Sequence, residues 1–141
     1  MKIYRGILLL NVIAILFSCK QNDDSDDSSE IDVIGIWQLI EIYLDPGDAS
    51  GDFELVDSNK TIEFKIDGTL ISNGVICQIS TDSIESRSAT YSICENTMMS
   101  PDCRDNGYGS DITFFIDANN DLVLIHPCIE SCLSKYTKIS N

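Results

Sequence analysis

The residues of this 141-residue chain whose types and spacing permit chemistry are six cysteines, one histidine and a loop crowded with carboxylates. Cys128 and Cys132, with three residues between them, can join Cys77 and Cys103 in a tetrahedral thiolate zinc site or form disulfides; the redox compartment decides which. In "DPGDASGDFE", Asp45, Asp48, Asp52 and Glu54 offer the several flexible oxygens that calcium takes. Their spacing departs from the register of an EF-hand loop, and a solvated acidic loop is the plainer reading. His126 stands directly before Pro127 and reads as a structural or surface imidazole. No Gly-x-Ser-x-Gly, phosphate loop or His-x-x-x-His occurs. A protein without catalytic residues, cofactor or metal is the expectation.

The length suits one domain with one core. A formal charge of -14, from 23 acids against nine Lys and Arg, excludes nucleic acid as a partner, because a phosphate backbone is met with clustered cations.

The N-terminus fixes the compartment. Lys2 and Arg5 precede the apolar run "GILLLNVIAILF", which is shorter than the roughly 20 residues that span a bilayer and reads as a removed signal over residues 1–18. "LFSC", Leu16 to Cys19, resembles the lipobox of bacterial lipoproteins, with Phe17 in place of the usual small or aliphatic residue. The resemblance implies acyl chains on Cys19, which tie the protein to the outer membrane, facing the periplasm or the cell surface. Two or more chains make such an anchor stable. From Lys20 to Asp32, "KQNDDSDDSSEID" has too little apolar surface to offset the entropy of ordering, so residues 19–32 are expected to form an acidic tether. Lys20 followed by acids also resembles the surface-export signal of some Gram-negative lipoproteins. In an oxidising space, disulfides are expected over zinc.

From residue 33 to 141 the periodicity is of strand type. Eight runs are expected as strands: "GIWQLIEIYL", "TIEFKI", "TLISNG", "ATYSIC", "TMMS", "DITFFI", "DLVLIH" and "SKYTKI". Asp67-Gly68 between the second and third is a hairpin signal. Eight strands with short turns at alternate connections predict an all-β, up-and-down antiparallel barrel, since closure removes both raw edges. Gly35-Ile36-Trp37 resembles the Gly-x-Trp signature of lipocalins, and residues 33–141 are similar to the lipocalin-like domains of bacterial lipoproteins. The resemblance implies that Trp37 plugs one end of the barrel.

In such a meander the short turns lie at one end and the long connections at the other. Cys77, Cys103, Cys128 and Cys132 all fall at the long-loop end, and Cys94 falls at the short-turn end. Four thiols allow three pairings; Cys77 with Cys103 and Cys128 with Cys132 is the preferred one. Cys94 is expected to be a free, partly buried thiol. Period-two alternation from Trp37 points Leu39, Glu41 and Tyr43 inward, with Ile62, Phe64, Ile66, Tyr91, Ile93, Ile112, Phe114, Leu122 and Leu124 on later strands. These residues either line a calyx for a small hydrophobic ligand or fill the barrel of a monomeric module that contacts another envelope protein.

Overall fold

The computed structural model describes residues 33–105 and 111–141. The expected signal, Cys19 and the acidic tether lie outside the described residues.

Among the described residues nine strands form one closed antiparallel sheet: β1 (Gly35–Leu44), β2 (Phe53–Leu55), β3 (Thr61–Phe64), β4 (Thr69–Ser72), β5 (Arg87–Ser92), β6 (Thr97–Met99), β7 (Ile112–Ile116), β8 (Leu122–Ile125) and β9 (Cys132–Ser140). All eight expected strands are present. β9 pairs along one side of β1 from Ile36 to Leu44. The other side of β1 takes β3 opposite Gly35–Gln38 and β2 opposite Glu41–Tyr43. β2 and β3 are therefore two pieces of one stave, and the nine strands make an eight-stave barrel in up-and-down order. The break between them spans residues 56–60 and stays tied to β1: Val56 N donates to Ile40 O, and Leu39 N to Lys60 O, both at 2.9 Å. A single helical turn, α1 (Pro101–Asp105), follows β6.

Closure demands a close approach where β1 begins. At Gly35, with φ of 127°, a Cβ would stand 2.3 Å from the Ser140 carbonyl oxygen of β9. Only glycine fits there. Further along β1, Trp37 is buried and its Nε1 donates to Val33 O at 2.8 Å, which pins the start of the domain to the barrel.

Alternation packs the interior. Ile62, Leu70, Met98, Ile112, Leu122, Leu124 and Tyr136 have no exposed surface at all, and Trp37, Leu39, Phe64 and Phe114 show 2 % or less. Phe64 meets Tyr91 and Phe114 edge-on, at 4.9 and 5.7 Å between ring centroids. Side chains with no surface open to water leave no room for a water molecule against them, so this layer is filled.

Four inward expectations differ. The register between β1 and β9 shifts between Leu39 and Glu41, a β-bulge at Ile40. One extra residue reverses every later side chain. Tyr43 consequently packs on Phe53 (5.5 Å), whose ring also carries the Lys135 ammonium at 4.0 Å, while Glu41 pairs with Lys135. Ser134 and Tyr136, on either side of Lys135, are buried, so Lys135 and its contacts are on the outer face. Ile42 turns inward against the core instead. Ile66 is 92 % exposed because β3 ends at Phe64 and the turn closes from Lys65 to Gly68. Ile93 is 46 % exposed for the same reason, in the turn between β5 and β6.

Candidate functional site

The long-loop end of the barrel carries most of the polar chemistry. Alternation through Ile62 and Phe64 extends one step back to Lys60, and alternation through Leu122 and Leu124 extends one step forward to His126. Both side chains point inward at this end and are buried, at 1 % and 5 % exposure. With Ser72 and Ser134, also buried, they form a polar layer on top of the apolar one. His126 Nε2 and Ser134 Oγ share a hydrogen bond of 2.7 Å, and the buried Tyr136 hydroxyl lies beside Ser134.

Residues 73–86 fold over this layer. Ile76 and Cys77 sit against it with almost no exposure. Lys60 Nζ donates to Ser80 O at 3.0 Å, and Ser58 Oγ donates to Thr81 O at 2.7 Å. The Cys77–Cys103 disulfide ties this cover to α1. Burial lowers the Lys60 ammonium to about 8, against the pull of the Asp82 carboxylate. Burial and the neighbouring Lys60 charge lower His126 to about 4. Burial raises the Tyr136 phenol. The expectation of a surface or structural imidazole resolves into a buried one. Its signal is present in the sequence, since Lys60 and His126 both continue a strand's inward parity.

The cysteines of this end pair as Cys77 with Cys103 and Cys128 with Cys132. Cys94 corrects the expected free thiol: it is disulfide-bonded, and it is exposed in the turn after β5. Parity separates Cys94 from the four thiols of the opposite end, but it ranks no partner outside the barrel's connections.

The acidic loop uses its carboxylates on its own backbone. Asp45 Oδ1 accepts from Gly47 N (2.8 Å) and Ala49 N (3.1 Å), Asp48 Oδ1 from Ser50 N and Asp52 Oδ1 from Phe53 N. The Ser50 hydrogen bonds hold the Asp48 carboxyl below the usual range. Among the described residues no group of three or more His, Cys, Asp or Glu is placed to hold a metal ion. Asp45, Asp52 and Glu54 instead rim a depression of about 440 Å³ with Ile42, Leu44 and Pro46.

A larger groove, about 670 Å³, lies on the outside of the sheet. Outward residues Thr69 and Ile71 of β4, Ser88 and Thr90 of β5, and Met99 of β6 line it, with Pro101 at its edge. Its surface is mostly apolar and holds no charged residue, in a chain that is 23 % charged. Of the expected ligand-lining residues, Trp37, Leu39, Ile62, Phe64, Phe114 and Leu124 are brought together, with Tyr91 at their edge, in the filled interior and not in this groove.

No family model, curated protein or solved structure matches this chain.

Proposed function

We propose that this chain is a lipid-anchored lipoprotein of the cell envelope whose barrel is a filled scaffold for recognising a protein partner. One observation carries the choice over a calyx: the fully buried interior side chains leave no space for even a water molecule against them. The arrangement of the ends supports the same reading. Val33 enters beside Trp37 at the short-turn end, so a barrel held by residues 19–32 presents its long loops away from the membrane. Ile84 and Ile129 are 84 % and 96 % exposed in those loops, among acidic side chains. The lipobox at Leu16–Cys19, the Gly35-Ile36-Trp37 start and the eight staves favour kinship with lipocalin-like lipoproteins of the outer membrane.

The test has two arms. Titrating the purified protein with a fluorescent fatty-acid analogue is expected to show no displaceable one-to-one binding, and cross-linking on intact cells is expected to capture the same partner repeatedly. Stoichiometric probe binding that survives Thr90→Trp, a substitution that fills the outer groove, would return the ligand to the interior and overturn the proposal. Binding lost in Thr90→Trp favours a second reading, in which the outer groove of about 670 Å³ takes a small neutral hydrophobic ligand. Peptide mapping of Cys19 decides the anchor. A diacylglycerol thioether there supports it, and a Cys19 disulfide contradicts it.

A further inference from the structure

The cover over the long-loop end is held from below. Its 78–86 portion is tied to the barrel mouth by side chains beneath it, Lys60 to Ser80 O and Ser58 to Thr81 O, and Ser58 Oγ also accepts from Lys60 N at 3.0 Å. Its first part is held by Asn73, which accepts from Thr61 N and donates to Asn59 O, and by the Cys77 disulfide. The cover turns back on itself at Gly74, where a Cβ would stand 2.2 Å from the Asp82 carbonyl oxygen and 3.3 Å from Lys60 Cε. Upstream of Ser80 the disulfide at Cys77 fixes the chain, while Thr81, Asp82, Ile84, Glu85 and Ser86 are exposed after it. The piece from residue 78 to 86 can therefore lift while 73–77 stays tied. Beneath it two basic groups share one buried layer. The groups that face His126 are Lys60 from the stave before β3, Ser134 and Tyr136 from β9, and the Ile76 backbone from the cover; Asp82 faces Lys60 from above.

We infer that residues 78–86 are an acid-released latch, held shut by buried Lys60 and opened when His126 beside it takes up a proton. In the closed state a second positive charge has no solvent and no carboxylate within the layer. Lifting the latch lets water reach Lys60 and relieves the repulsion. His126 ordinarily takes its proton near pH 6.5 and is held to about 4 when covered, by burial and by the Lys60 charge, so by linkage acidification from pH 6.5 to 4.5 raises the open fraction, with about fortyfold as the upper bound reached where opening restores the ordinary value. Below the closed-state value the bias gains nothing more. The released latch exposes the polar layer at the end of the barrel that also carries Ile84 and Ile129, which makes the surface there dependent on pH.

NMR of the full chain in detergent micelles tests this, and the one histidine of the sequence gives a single ring signal to follow. The ring is expected to titrate well below the ordinary histidine range. Amide exchange in 78–86, corrected for intrinsic rates, is expected to rise at least about tenfold between pH 6.5 and 4.5, while β3 and β8 stay protected. His126→Gln should abolish the rise. Asp82→Asn, which removes from an exposed position the carboxylate that faces Lys60, should speed exchange of 78–86 severalfold at pH 7. An acid response that persists in His126→Gln, exchange that rises equally across the whole sheet, or an Asp82→Asn protein indistinguishable from wild type at pH 7 overturns the inference.

Discussion

Lys135 on β9 reaches Glu41 on β1 with Nζ 2.6 Å from Oε2, and the pair stands outside the barrel although strict alternation from Trp37 would put Glu41 inside it. The bulge at Ile40 makes this so. It keeps a carboxylate out of the core and brings Ile42 in.

Deleting Ile40 should therefore cost far more than its own contacts. The deletion would restore unbroken alternation, turning Glu41 inward without a partner and Ile42 outward. A buried unpaired charge of that kind destabilises by about 3 kcal/mol or more. Lys135→Met, which removes the partly exposed ion pair and the ammonium over the Phe53 ring, should cost less than about 2 kcal/mol. Urea unfolding followed by Trp37 fluorescence measures both. Equal losses in the two variants would contradict the role given to the bulge.

The two disulfides of the long-loop end should contribute unequally. Cys77–Cys103 closes a loop with a sequence separation of 26, and Cys128–Cys132 one with a separation of 4. On the chain-entropy model the first is worth roughly 3 to 4 kcal/mol and the second about 2 kcal/mol. Paired serine substitutions at each bridge, compared by thermal unfolding at neutral pH, check the order. A larger loss from the Cys128 pair would show that native contacts, not loop length, set the difference.

Stability should rise on the alkaline side of neutrality. Lys60 is held to about 8 in the folded chain against 10.5 unfolded. Between those values the unfolded state binds more protons, so unfolding becomes harder as pH increases. The gain from pH 8 to 9.5 is on the order of 2 kcal/mol. Above about pH 10 it is opposed, because the buried Tyr136 keeps its proton while an unfolded tyrosine loses it. Urea midpoints measured across roughly pH 7.5 to 9.5 test the sign, and Lys60→Met should flatten the rise.

The eight staves, the closure and the gathering of four cysteines at one end are legible in the sequence because they follow from period-two patterning, turn residues and strand parity, while the choice among their three pairings is a preference that parity does not dictate. Parity places Cys77, Cys103, Cys128 and Cys132 at one end without any knowledge of distance. What fails is the assumption of an unbroken pleat. A bulge is a single residue, and Ile40 carries no glycine or proline to announce one, so alternation puts Tyr43 on the wrong face. Ile66 and Ile93 read as inward only when each strand is extended into its turn by a residue or two. The short β2 is hidden since "FEL" is too brief to show a period. Lys60 escapes notice, and the burial of His126 is left open between a structural and a surface imidazole, for a different reason: charge and polarity suggest the surface, while their positions on the alternation already point inside.

The joining of β1 to β9 also fixes the order in which the chain can finish folding. Ile36 pairs with Ser140, so the contacts that close the cylinder link distant parts of the chain and belong to the most non-local class of pairing. A chain still emerging, with β1 in place and β9 undelivered, holds only one of the two partners. Closure is therefore a late event, and until it happens the sheet is open, with one side of β1 and one side of β8 unpaired and free to meet the wrong neighbour.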